Sequence, residues 1–299
     1  MQYVLTLAAA TVEDFPVDLA GEILDLIRDL GAANPRFNWL GPAACDFFFA
    51  DMPLEQARYA ITKFLDERPL DLIFQPVPAR RKRLLVADME STIIREEMLD
   101  ELAELKGIRS EIAAITARAM NGEIDFVPAV EERVALLAGL PISRLHDLGR
   151  EIHIMPGAKM LVATMRKHGG RAVLVSGGFT IFTAKVRELV NFDTDHGNEL
   201  EIKNGLLSGK LVPPIRGKAY KLEILRQEAA SMHLPADEVL AVGDGANDIP
   251  MLQAAGLGVA YHAKPAVREA VSVRLDHTDL STLLYAQGYR REEFISPFN

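Results

Sequence analysis

Asp88 and Glu90 stand two residues apart at the end of an apolar tetrad, Leu84-Leu85-Val86-Ala87. On extended backbone both carboxyls lie on one side of the chain, one placed to attack or ligate and the other to move a proton. The tetrad reads as a short buried strand of a parallel sheet, and open α/β sheets do their chemistry at the carboxyl ends of such strands. A second apolar run, Ala172-Val173-Leu174-Val175, ends in Ser176-Gly177-Gly178, and a third, residues 239–242, ends in Gly243-Asp244-Gly245-Ala246-Asn247-Asp248. In one parallel sheet these ends share an edge, so residues far apart in sequence converge there. Carboxylates with few imidazoles or thiols select Mg²⁺ over zinc. The Ser176 hydroxyl and the amides behind it can donate to a phosphoryl group, and Lys218 can neutralise its charge. A nucleophile, a proton carrier, a cation and fixed donors are together what carboxylate-based phosphoryl transfer needs.

The elements that must hold these residues can be read in outline. Apolar residues at helical spacing predict a helix over 18–30, and residues 3–7, 37–40, 44–50 and 71–75 read as strands, with a second helix over 54–65. That β-α-β-β-α-β order is ferredoxin-like. It resembles ACT-type modules and supplies no catalytic constellation, so residues 1–80 are expected to pack or dimerise rather than sense an amino acid, leaving a homodimer open. After the tetrad, helical periodicity runs over 96–105, 108–120 and 127–140, punctuated by Asn121-Gly122 and Pro141. A helical insertion directly after the first core strand would sit over the carboxyl edge as a lid. Beyond it strands and helices alternate, with Asn204-Gly205 marking a hairpin, a helix over 218–230 and a last strand at 257–261, which predicts a doubly wound parallel sheet.

Composition narrows the partners. Over 299 residues, 33 basic against 42 acidic side chains give a net charge of −9, which disfavours non-specific binding to nucleic acid or anionic membrane. The basic run at 80–83 reads as a linker or solvated edge. A single cysteine, Cys45, excludes a disulfide framework or a thiolate zinc site within one chain and suits a cytoplasmic protein. No basic region precedes the first apolar stretch, and the longest uncharged window near the centre, 172–184, is 13 residues, so no targeting or membrane segment is expected. The seven histidines show no ligand spacing, and Trp39 with Phe47-Phe48-Phe49 reads as packing.

Taken together, Asp88-Met89-Glu90-Ser91-Thr92, Ser176-Gly177-Gly178-Phe179, Lys218-Ala219 and Gly243 through Asp248 resemble, in order and spacing, the four motifs of the haloacid dehalogenase superfamily, and within it the phosphoserine phosphatase family. The resemblance covers roughly residues 84–285. It implies a Rossmannoid phosphatase domain over 81–299, with a helical cap at about 94–154, behind the ACT-like domain. It further implies hydrolysis of O-phosphoserine in the last step of serine biosynthesis. Asp88 would be the nucleophile that becomes an aspartyl-phosphate and Glu90 the acid/base, while Ser176 and Lys218 would hold the phosphoryl group. Mg²⁺ would sit on Asp88, the backbone carbonyl of Glu90, and Asp244, with Asp248 orienting the metal shell. Glu97 would take the substrate ammonium and Arg133 its carboxylate; Met120 and Phe126 would line the closed pocket, and Gly177 and Asn247 would touch phosphate or substrate. Two departures stand out. The family's usual acid/base is an aspartate one methylene shorter than Glu90, and Lys221 lies one helical turn after Lys218. A phosphatase or phosphotransferase for another small phosphomonoester is the nearest alternative. A regulatory protein silenced by Glu90 is the more distant one.

Overall fold

The computed structural model describes residues 2–120, 123–217 and 219–296, excepting the side chain of Met120. Residues 3–76 form β1 (Tyr3–Ala9), α1 (Leu19–Asp29), β2 (Arg36–Gly41), β3 (Ala44–Phe49), α2 (Leu54–Leu65) and β4 (Leu70–Pro76). The strands build an antiparallel sheet in the order β2-β3-β1-β4. Ile23 and Ile27 of α1 and Ala57, Ile61 and Leu65 of α2 recur at helical spacing. They close over Leu5, Leu7, Phe47 and Phe49, which alternate along β1 and β3.

The rest of the chain surrounds a seven-stranded sheet. It begins with β5 (Leu84–Asp88) and is interrupted by four helices, α3 (Met98–Lys106), α4 (Arg109–Met120), α5 (Phe126–Leu136) and α6 (Ile142–Arg150). It resumes as α7 (Ala158–Lys167), β6 (Arg171–Phe179), α8 (Thr180–Val190), β7 (Thr194–Lys203), β8 (Leu206–Val212), α9 (Tyr220–Ser231) and β9 (Val239–Gly243). It ends as α10 (Ile249–Ala254), β10 (Leu257–Tyr261), α11 (Pro265–Ala270), β11 (Val273–Leu275) and α12 (Thr282–Ala286). Strand order is β11-β10-β9-β5-β6-β7-β8, parallel except for the β7–β8 hairpin. Alternate residues of each central strand enter different cores. Leu85, Ala87, Leu174 and Val242 pack with Leu161, Phe182 and Leu283, whereas Leu84, Val86, Val173 and Ala241 pack with Ile224, Met251 and Val267. Burial on both faces explains why these strands read as unbroken apolar runs. The result is a haloacid-dehalogenase-like α/β fold with a helical insertion after its first core strand.

The expected helix over 127–140 is shorter than its apolar spacing. α5 stops at Leu136, Gly139 turns at φ +83°, and Pro141 precedes α6, which was not anticipated. At the base of the insertion, Ile94 and Ile154 form an antiparallel bridge, flanked by hydrogen bonds from the Arg95 N–H to the His153 carbonyl at 3.0 Å and from the Met155 N–H to the Ile93 carbonyl at 2.9 Å.

The two sheets are joined by buried polar contacts. The Asp71 carboxylate on β4 accepts from the backbone N–H groups of Asp276, His277 and Thr278 and from the Thr278 hydroxyl at 2.6 Å. Arg80 donates to Asp46 and Thr6 on one side and to the carbonyls of Tyr285 and Ala286 on the other.

Candidate active site

Asp88 closes β5 with the same face parity as Leu84 and Val86, the face covered by α9. The second residue of α9, Lys221, is turned toward it. Its Nζ lies 2.6 Å from Oδ1 of Asp88 and 2.6 Å from Oδ1 of Asp248, and the side chain is 4% exposed. Burial works against the Lys221 charge, but these two carboxylates outweigh it and raise its pKa. Burial, and then the charge of Asp248, lift Asp88 well above the ordinary carboxylate range against the pull of Lys221. Lys218 lies outside the described residues, so the lysine seen beside Asp88 is Lys221. The helical spacing of Lys221 with Ile224 and Leu225, all buried, is the sequence signal that places it inward.

Past Asp88 the chain turns sharply. The N–H groups of Ile93 and Ile94 both donate to the Met89 carbonyl, and Ser91 adopts φ +54°. The turn sends Glu90 toward the helical insertion, where Oε1 accepts from the Met98 N–H at 3.1 Å and Oε2 accepts from the Ser176 hydroxyl at 3.4 Å. Burial, with the Glu97 charge adding to it, pushes the Glu90 carboxyl up to about 7. Ser176 is buried and its Oγ also accepts from the Gly178 N–H at 2.8 Å. A Cβ at Gly178 would stand 3.0 Å from both Glu90 carboxyl oxygens and from Ser176 Oγ, so any larger residue would push these groups aside by a few tenths of an ångström.

The third strand end is the most closely packed. Asp248 Oδ2 accepts from the backbone N–H groups of Asp244 and Gly245, and a Cβ on Gly243 would collide with its carboxyl carbon at 2.5 Å. Asp244 accepts from the Thr92 hydroxyl at 3.3 Å and pairs with Lys264 at 3.3 Å; burial raises it and Lys264 opposes the rise. Carboxylate oxygens of Asp88, Asp244 and Asp248 lie within 4.8 Å of one another. A buried, all-oxygen set of this kind suits a hard divalent cation rather than a soft one.

The insertion brings further groups to this edge. Phe126 reaches over Gly177, its ring 3.6 Å from where a Cβ would stand. Arg133 is half-buried, bonded through Nε to the Ala129 carbonyl and through Nη1 to Thr116. Burial lowers its pKa, while Asp100, Glu90 and Glu97 act to raise it. Glu97 is exposed and accepts from the Ser91 hydroxyl at 2.7 Å. Asn247 is half-buried beside Gly245. The side chain of Met120 lies outside the described residues, as do Asn121 and Gly122. Sequence reasoning placed Asn198 within the resemblance but gave it no role. On β7 it is buried, donates to the Gly177 carbonyl at 2.8 Å and accepts from the Arg216 N–H at 2.7 Å, tying the serine loop to the segment that leads into α9.

A doubly wound sheet with acidic strand ends gathered beneath a helical insertion is the arrangement of a capped hydrolase. The chain belongs to the haloacid dehalogenase-like hydrolase family, whose profile matches residues 85–253. It is 43% identical over 237 residues to the phosphoserine phosphatase SerB2 of Mycobacterium tuberculosis, covering 78% of this chain and 58% of that one. It is 46% identical over 203 residues to a phosphoserine phosphatase of Lactococcus lactis subsp. lactis, covering 68% and 94%. Among solved structures, a HAD family hydrolase from Salmonella enterica subsp. enterica serovar Typhi superposes with a TM-score of 0.83 at 27% identity, covering 95% of this chain and 98% of that one. The chain thus spans little more than half the length of its mycobacterial relative.

Proposed function

We propose that this protein hydrolyses O-phosphoserine to serine and phosphate through a phosphorylated Asp88. The observation that carries the reading is the pairing of Asp88 with Lys221 at 2.6 Å, beside a Glu90 carboxyl near 7, at the open end of the sheet. An Asp88 carboxylate oxygen attacks phosphorus and the bond from phosphorus to the serine oxygen breaks. Glu90, protonated at the start, gives its proton to that leaving oxygen. Glu90 then takes a proton from a water, whose oxygen attacks the same phosphorus and releases phosphate, restoring the Asp88 carboxylate. Lys221, in the role first expected of Lys218, neutralises the phosphoryl oxygens together with the Ser176 hydroxyl, and the amides behind Ser176 add donors.

Mg²⁺ fits the donor set and would be held by Asp88, Asp244 and the backbone carbonyl of Glu90, with Asp248 fixing the loop that carries Asp244. When bound it offsets charge on the phosphoryl oxygens. In the insertion, Arg133 would pair with the substrate carboxylate and Glu97 with its ammonium, while Phe126, Met120, Gly177 and Asn247 border the closed site. The names of the relatives support phosphoserine as the substrate. Such an enzyme would work in the cytoplasm at the end of serine biosynthesis.

Phosphate release should be measured from O-phosphoserine and a panel of other small phosphomonoesters, with and without Mg²⁺. The proposal expects a Mg²⁺-dependent preference for phosphoserine, lost in Asp88→Asn. Preference for another ester would overturn the substrate, wild-type turnover by Asp88→Asn the mechanism, and silence on the whole panel the enzyme reading.

A further inference from the structure

A cavity of about 950 Å³ opens where three parts of the chain meet: residues 9–12 and 42–43 beside the antiparallel sheet, the base of the helical insertion, and the loops after β10 and β11. None of Asp88, Glu90, Ser176 or Lys221 lines it. Its size falls in the range of small-molecule sites, roughly 300–1,000 Å³. Its charge is lopsided. Arg95 and Lys159 line it, and their side chains make no hydrogen bond or ion pair with a described residue. Arg291 adds to the same sign and His262 and His277 offer ring nitrogens, against Asp279, whose Oδ1 is already occupied by the N–H and hydroxyl of Ser281. Tyr261 is 2% exposed, and its hydroxyl makes no hydrogen bond with a described residue although it lines the cavity. The charges of Asp279 and Arg95 both act on that hydroxyl. A tyrosine hydroxyl open to the cavity and two cations that pair with no described residue, all around one space, call for an acceptor-rich, negative occupant.

The location gives such an occupant a lever. Arg95 and Ile154 belong to the two chain segments at the base of the insertion, joined by the Ile94–Ile154 bridge, whereas Lys159 is on α7 and Tyr261 ends β10, both part of the core. We propose that this cavity is an effector site for a small anion carrying two acidic groups, carboxylate or phosphate, which ties the base of the helical insertion to the core. An occupant bridging Arg95 to Lys159 and Tyr261 restrains the two chain segments through which the insertion must move to open. Binding and restraint do not depend on the proposed phosphatase activity; only an effect on turnover would rest on it.

The test is isothermal titration of the full chain, in Mg²⁺ buffer at neutral pH, with succinate and with 3-phosphonopropionate, which no phosphatase can cleave. Saturable binding to one site is expected, weakened at least about tenfold in Arg95→Gln/Lys159→Gln and retained in Asp88→Asn. The probe that binds more tightly identifies a dicarboxylate or a phosphate-bearing source. Amide hydrogen exchange at residues 93–95 and 153–156 should slow with the bound probe. Three results would overturn the proposal: no saturable binding of either probe, equal affinity in the double variant at an unchanged melting temperature, or loss of binding in Asp88→Asn. Binding with unaltered exchange at those residues would overturn the restraint. A chain that binds the probes as expected yet releases no phosphate from any ester would leave this site standing and sink the enzyme reading alone.

Discussion

Replacing Lys221 by methionine keeps the volume and removes the cation that, among the described residues, lies between Asp88 and Asp248. At 2.6 Å and an effective dielectric near 20, each of the two contacts carries about 6 kcal/mol of Coulomb attraction, most of it offset by the cost of dehydrating the three groups. Breaking such a buried arrangement leaves carboxylates facing each other, with a net loss of about 3–5 kcal/mol. The assay is urea unfolding in metal-free buffer with chelator, at neutral and mildly acidic pH. Asp88 is already raised, and without Lys221 it rises further. A carboxyl raised in the folded state favours folding most where it is protonated, so the variant's deficit should be largest at neutral pH and shrink as pH falls. Phosphate release should fall by about 10²–10³, the usual loss on deleting one fixed donor to a developing oxyanion. Lys218→Met should lose far less on both measures. Wild-type stability and turnover in Lys221→Met, with an inactive Lys218→Met, would refute the reasoning.

Because Glu90 titrates near 7, its acid form prevails below that pH and is lost above it; kcat/KM for phosphoserine should decline as pH rises through about 7. Glu90→Gln should lose that limb along with about 10²–10⁴ of the rate, and should gain more stability over wild type in mildly alkaline than in mildly acidic buffer. Arg133→Ala should impair phosphoserine hydrolysis by the equivalent of about 2–5 kcal/mol while sparing an ester without a carboxylate, and equal losses on both in steady-state kinetics would exclude the role. Asp71→Ala strands the N–H groups of residues 276–278 and should destabilise the chain by about 2–4 kcal/mol in denaturant melts, with the catalytic groups intact. Removal of residues 1–78 would expose the same surface together with Tyr285, so retained activity in that truncation should come with poor stability.

What the sequence by itself determined is local or periodic. The apolar tetrad before Asp88, the runs before Ser176 and Asp244, and Asn204-Gly205 between β7 and β8 each encode strand or turn through neighbours a few residues away, and the common edge follows from parallel pairing. The three residues of β11 carry too little pattern to announce a strand, and α6, beyond the Pro141 that closed the expected helix, has only Ile142, Leu145 and Leu148 as an apolar stripe. The lysine was decided by packing. Helical spacing with Ile224 and Leu225 turns Lys221 inward, and the seating of α9 on β5 brings it to the Asp88 side. Asp71 looked like an ordinary strand residue, yet its acceptors are filled from more than 200 positions away. A few residues of chain suffice to set a backbone conformation, but which side chains meet depends on how distant elements bury their faces against each other, and that is settled only when the whole core closes.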